Sequence, residues 1–240
     1  MAGEPPHKGS RVLFKLSGEI LGGRSGAGLD PGALGGYARA LVDCAAAGWL
    51  PGVVIGGGNF VRGARSKALS RCSADWMGML ATVINAIALR DAIEAAGGSA
   101  GVLCAFPAGP MVREFSPDLA SEILGKGGVV IYAGGTGHPH LTTDTAAALR
   151  AVQTGCSMLL KGTKVDGIYD SDPVANPSAR RFDTLGYNRL LELGLEVMDA
   201  AAVAVCRDGS LPLAVFDATD PDNLSRVLRD PSIGTVVREE

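Results

Sequence analysis

Positive charge is not in excess, the common nucleotide-binding motifs are missing, and no long uninterrupted apolar run is present. Lysine and arginine number 22 against 25 aspartates and glutamates, a net charge of -3. No overall basic field therefore exists to hold nucleic acid or an anionic membrane surface. No apolar stretch approaches a membrane span, and residues 1–11 are polar, without the apolar core of a signal peptide. The expectation is a cytoplasmic protein whose partner is a small molecule. Cys44, Cys72, Cys104, Cys156 and Cys206 are odd in number and scattered, with no C-x-x-C pair. That excludes a disulfide framework and predicts reduced, mostly buried thiols. No G-x-x-x-x-G-K-[ST] occurs and no G-x-G-x-x-G follows the first apolar run, so the P-loop and dinucleotide-fold readings fall away.

Enough apolar sequence remains for a large core: 47% of the 240 residues are hydrophobic and 20% charged. Short apolar runs rich in β-branched residues fall at 11–16, 52–55, 100–105, 129–133, 157–161 and 213–216, separated by longer segments of helical period. This alternation predicts an α/β fold, a largely parallel sheet with helices on both faces. Asp30-Pro31 reads as a cap and first helical position, opening a helix to about residue 47 that Gly48 stops. A longer helix is predicted over 75–96. Its broad stripe of Met79, Val83, Ile87 and 89–93 calls for packing on more than one side, as core or subunit interface. No repeat or linker divides the chain, although a soft boundary is placed near Lys161.

Three of the apolar runs end in glycine-rich loops: Lys15-Leu16-Ser17-Gly18-Glu19, Gly56-Gly57-Gly58-Asn59, and Gly134-Gly135-Thr136-Gly137 leading to Thr142-Thr143-Asp144. Glycine lets backbone N–H groups close on phosphate oxygens, and a helix that starts after such a loop turns its positive end to the anion. With Lys15 at one strand end and Lys161 at another, the pattern points to several phosphates held at once, and so to a phosphotransferase. Arg62 stands where a guanidinium can fork onto a terminal phosphate, whereas Arg65, Lys67 and Arg71 read as a solvated face. Asp144 admits two readings. It either lies between Lys15 and Lys161 and holds both ammonium groups, or is a plain acid at the start of a helix over 145–152.

The motifs Lys15-Leu16-Ser17-Gly18, Val54-Ile55-Gly56-Gly57-Gly58-Asn59, Met77-Gly78-Met79-Leu80-Ala81-Thr82, Thr142-Thr143-Asp144, Lys164-Val165-Asp166-Gly167 and Val197-Met198-Asp199 resemble bacterial uridylate (UMP) kinases of the amino acid kinase superfamily. The likeness covers nearly the whole chain. It implies an open αβα sandwich, a homohexamer, and the reaction ATP + UMP giving ADP + UDP. It further implies an acceptor-binding and oligomerising lobe over 1–160 and an ATP-binding lobe over 161–240.

By the same resemblance Lys15, Leu16, Ser17, Gly18, Gly58 and Arg62 hold ATP phosphates, with Thr163, Tyr169 and Asp172 around the adenosine. Gly57, Asp75, Thr136, Gly137, His138, Pro139, His140, Leu141, Thr142 and Thr143 hold UMP, Asp75 accepting hydrogen bonds from the ribose hydroxyls. Lys15, Asp144 and Lys161 form the catalytic group, and Mg2+ is held by nucleotide oxygens and water. Family members respond to GTP and UTP as effectors; Arg90 and Asp91 match part of that site, while Gly101 and Gly128 stand where arginines are common. The acceptor loop also departs from the family: His138-Pro139-His140-Leu141 replaces Asn-Pro-aromatic-Phe. Two alternatives stay open, a related kinase with another small acceptor and a non-catalytic nucleotide- or oxyanion-binding relative of the molybdenum-storage type.

Overall fold

The computed structural model describes residues 5–61, 69–195 and 197–239. Strands β1 (Arg11–Leu16), β2 (Leu50–Ile55), β3 (Ala100–Cys104), β4 (Arg113–Glu114), β5 (Val129–Ala133), β6 (Met158–Thr163), β7 (Thr184–Gly186), β8 (Leu213–Asp217) and β9 (Thr235–Arg238) form one sheet among the described residues. Its order is β4-β3-β5-β2-β1-β6-β8-β9-β7, and neighbours are parallel except β8 with β9. From β1 the chain adds β2, then β3 and β4 further out, fills the gap between β2 and β3 with β5, and returns to add β6 on the other side of β1. The order reverses at that point, and the crevice outside the carboxyl ends of such strands is where an open α/β sheet takes its ligand.

Helices α1 (Pro31–Ala46), α2 (Arg71–Ala95), α3 (Pro117–Gly125), α4 (Thr143–Gln153), α5 (Tyr187–Glu192), α6 (Ala200–Asp208) and α7 (Asn223–Arg229) cover the sheet. The two-residue period of the strands sorts their side chains between two cores. Val12, Phe14 and Leu16 join α1, α2 and α7 residues such as Leu41, Leu89 and Val227 on one face. Leu13 of β1 and Leu159 of β6 pack on the other face with Ala147 and Ala151 of α4 and Val203 of α6. Lys15 and Lys161, two residues further along, inherit the α4 face.

The predicted strands all form, with ends moved by at most two residues. The further strands β4, β7 and β9 are two to four residues long, too short for any period to register in the sequence. Helix α2 starts at Arg71 rather than 75, because Ser70 caps it by accepting from Ser73 N at 3.1 Å, and its first turn is polar. Helix α4 starts at Thr143, so Asp144 lies inside its first turn and Thr142 is the cap, accepting from Asp144 N at 3.0 Å. By length and composition alone α2 is long and apolar enough to cross a bilayer, a test that a core helix also passes. One face, with Val83, Ala86, Leu89 and Ile93, is core. Trp76, Met77, Leu80 and Ile84, outside the expected stripe, form a second apolar face that is exposed. All five cysteines are free thiols, and Cys72 is exposed.

Candidate active site

Lys15 and Lys161 are register partners on adjacent parallel strands, so both side chains leave the sheet on the same side. Directly above them is the first turn of α4. Asp144 Oδ2 accepts a hydrogen bond from Lys161 Nζ at 2.6 Å, and Oδ1 forms an ion pair with Lys15 Nζ at 2.6 Å. Burial alone would raise the Asp144 carboxyl, but the Lys15 and Lys161 charges and their hydrogen bonds outweigh it and hold it below the usual carboxylate range. Burial and the Lys15 charge together hold the Lys161 ammonium below its usual value, with Asp144 opposing them. One carboxylate against two ammonium groups leaves a net positive centre. Of the two sequence readings of Asp144, the bridging one is what forms.

Sequence reasoning gave no role to Asp199, which organises this centre from behind. Its Oδ2 accepts from the Thr142 hydroxyl at 2.5 Å and its two oxygens lie 2.9 Å from the Thr145 hydroxyl, while Oδ1 caps α6 by accepting from Ala202 N at 2.9 Å. Lys161 Nζ also donates to the Val197 carbonyl. The amino ends of α4 and α6 are thereby fixed beside the cluster. The Val197-Met198-Asp199 motif was the only signal in the sequence.

The glycine loops close tightly around the same point. Ser17 caps a 3-10 turn over Gly18–Ser25, accepting from Glu19 N at 3.3 Å. A Cβ on Gly18 would sit 2.2 Å from the Gly56 carbonyl oxygen, so only glycine lets the first two loops touch. Gly57 is similarly pressed: a Cβ there would sit 2.5 Å from the Gly78 carbonyl oxygen and 2.8 Å from Ala81 Cβ, so the second loop lies directly against α2. Asn59 and Asn85 exchange side-chain amide bonds of 2.9 and 2.8 Å, and Asn85 also donates to Gly56 O at 2.8 Å. Asn85 is fully buried on α2 and fixes the second loop, and the sequence did not single it out. Thr82 anchors the third loop by accepting from Gly134 N at 2.8 Å.

Two cavities adjoin the cluster. The first, of 170 Å³, is lined by Gly57, Asp75, Thr136, His138, Leu141, Thr142 and Thr143 among others. Asp75 accepts from His140 N at 2.8 Å and from Arg71 Nε at 2.9 Å, and Arg71 lines the same cavity instead of lying on a plain solvated face. Burial would raise the Asp75 carboxyl, but the His140 N–H and the Arg71 guanidinium hold it below the usual range. His140 adopts φ of 68°, the left-handed region. Gly137, Pro139 and His140 belong to this loop without lining the cavity.

The second cavity, of 580 Å³, has Lys161 at its edge and Thr163, Tyr169 and Asp172 in its wall. The Tyr169 hydroxyl donates to Asp166 at 2.6 Å, and Asp172 accepts from Val174 N at 2.9 Å. Leu16 is fully buried in β1, and Gly58 sits in the second loop. Arg62, Arg65 and Lys67 lie outside the described residues. Arg90 and Asp91 pair on α2 through 3.0 and 2.8 Å bonds, remote in sequence from these loops. No three His, Cys, Asp or Glu side chains converge as a metal site among the described residues. Both Asp144 oxygens face ammonium groups, which fits a divalent ion carried by substrate oxygens and water.

A lysine–carboxylate–lysine cluster flanked by two cavities, at the reversal point of an open sheet that is parallel but for one pair, defines a protein of the phosphoryl-transfer class. The model of the amino acid kinase family matches residues 10–217, and the chain belongs to that family. A protein named uridylate kinase from Legionella pneumophila (strain Lens) is 46% identical over 239 residues, covering 98% of this chain and 96% of its own. The crystal structure of UMP kinase from Bacillus anthracis superposes with a TM-score of 0.92 at 32% identity, covering 98% of this chain and 97% of that one. The UMP kinase from Ureaplasma parvum gives 0.91 at 34% identity, covering 97% and 100%.

Proposed function

We propose that this chain is a UMP kinase, moving the γ-phosphoryl group of ATP to the 5′-phosphate of UMP to give ADP and UDP. The observation that carries the reading is the position of Asp144, between Lys15 and Lys161, with Lys161 in the wall of the larger cavity and Thr142 and Thr143, next to Asp144 in the chain, in the wall of the smaller. Phosphoryl transfer needs alignment and charge neutralisation more than covalent chemistry. Lys15 and Lys161 supply fixed positive charge where negative charge gathers, and Asp144 keeps the two ammonium groups apart from solvent and aligned. No general base is needed, since the attacking UMP phosphate is already an anion.

The larger cavity takes adenosine, with Thr163, Tyr169 and Asp172, and Lys15, Leu16, Ser17, Gly18, Gly58 and Arg62 take the ATP phosphates. The smaller takes UMP, with Gly57, Asp75 and residues 136–143. The divalent ion is Mg2+, which neutralises phosphate charge while bound to nucleotide oxygens. The acceptor lobe ends near residue 160 and the ATP lobe follows it. The exposed stripe of Trp76, Leu80 and Ile84 supports burial between copies in a cytoplasmic homohexamer. Retention of both lysines with Asp144 disfavours the storage reading.

The test is ADP release from Mg-ATP with UMP, CMP, dCMP or no acceptor, using wild type, Lys15→Ala and Asp144→Ala. Turnover with UMP, nearly lost in both folded variants, supports the reading. Turnover with another acceptor alone would move the assignment to a related kinase, and none at all would favour the binding protein.

A further inference from the structure

We propose that Arg71 is a positioning residue for the acceptor ribose, holding the Asp75 carboxylate in the orientation that receives the 2′- and 3′-hydroxyl groups; this rests on the UMP reading above. Arg71 Nε lies 2.9 Å from both Asp75 Oδ1 and Oδ2, and Oδ2 also accepts from His140 N at 2.8 Å. Two donors from two elements therefore meet on the Asp75 carboxylate: Arg71, one turn earlier on α2, and the backbone of the acceptor loop at His140. The remaining lone pairs of Asp75 face the cavity that Gly57, Thr142 and Thr143 also line.

Helix stability does not account for Arg71. A cation in the first turn opposes the positive end of the helix, and an arginine four residues before an aspartate is the weaker order for such a pair. The guanidinium is half exposed, 49% against 15% for the Asp75 side chain, so the pair contributes little to stability. What the pair does is fix the carboxylate plane, leaving it no freedom to rotate away from a diol. A free Asp75 would still be anionic but would have to be ordered by each arriving ribose, a cost that appears in acceptor affinity.

The experiment measures kcat and KM for UMP and dUMP, KM for ATP, and Tm, in wild type, Arg71→Gln, Arg71→Lys, Asp75→Asn and the Arg71→Gln/Asp75→Asn double variant. Arg71→Gln is expected to raise KM for UMP about tenfold and that for dUMP about threefold or less, since dUMP retains only the 3′-hydroxyl, with KM for ATP and Tm unchanged. Arg71→Lys restores part of the loss, and Arg71→Gln adds little once Asp75→Asn is present. Equal losses for UMP and dUMP would overturn the inference and place Arg71 on the phosphate or base. An unchanged UMP-to-dUMP ratio with a fallen Tm would reduce it to a structural contact. Wild-type protein inert with UMP would overturn the acceptor reading and this inference with it.

Discussion

Lys15 and Lys161 are Cα partners on neighbouring parallel strands, and the only described carboxylate in ion-pair contact with either ammonium group is that of Asp144. Like charges set side by side in a buried site repel, so the carboxylate offsets a repulsion that the folded state would otherwise carry. Asp144→Asn keeps the shape and removes the charge. It is expected to lower kcat at least about 100-fold and to cost about 3 kcal/mol of stability, read by steady-state kinetics and denaturant unfolding. Activity within a few-fold of wild type would show that Asp144 neither aligns nor neutralises.

The loops that end β1, β2 and β5 are legible in the sequence because a glycine run directly after a β-branched strand gives up side-chain packing for a backbone that can close on a ligand. Lys15 and Lys161 are legible because each closes an apolar strand. Their register is not, since pairing β6 with β1 requires the chain to return from β5 past β2 and β1, a property of topology that no local pattern encodes. Asn85 is invisible for a different reason: a polar residue in an apolar helix has no periodic signature, and its partner Asn59 is 26 residues away. Arg71 reads as surface in the sequence because it follows Arg65 and Lys67, and only the fold turns it toward Asp75.

The pH dependence follows from the direction of the Lys161 shift. Burial and the facing Lys15 charge make its proton easier to lose than that of an ordinary lysine, near about 10.4. A lysine must be protonated to neutralise phosphate, so kcat/KM for ATP is expected to fall on the alkaline side below that ordinary value. Once ATP is bound, its phosphates favour the ammonium form and the fall in kcat moves to higher pH. Coincident alkaline limbs for the two parameters would contradict this assignment.

Asn85 offers a separate test of the second loop. Asn85→Ala leaves Gly56 O and the Asn59 amide without their buried partner, which costs about 2–3 kcal/mol when such groups stay unsatisfied. On the proposed assignment of Gly58 to ATP and Gly57 to the acceptor, both KM values are expected to rise. A stability loss with both KM values unchanged would mean that the amide pair supports the fold without shaping the loop.

Regulation by GTP is expected to be weak or absent. Where family members carry effector-binding arginines, this chain has Gly101 and Gly128, and Ile123 fills the space beside both. A Cβ on Gly101 would lie 2.4 Å from Ile123 Cδ1, and one on Gly128 3.1 Å from Ile123 Cγ2. Arg90, the remaining match, is already engaged by Asp91 and by the Met111 carbonyl at 3.1 Å. The rate at fixed ATP and UMP should therefore stay level as GTP is added. Gly101→Arg alone should cost about 1–3 kcal/mol through overpacking against Ile123 and should not create activation. A several-fold rise in the wild-type rate with GTP would refute this and require an effector site built from other residues.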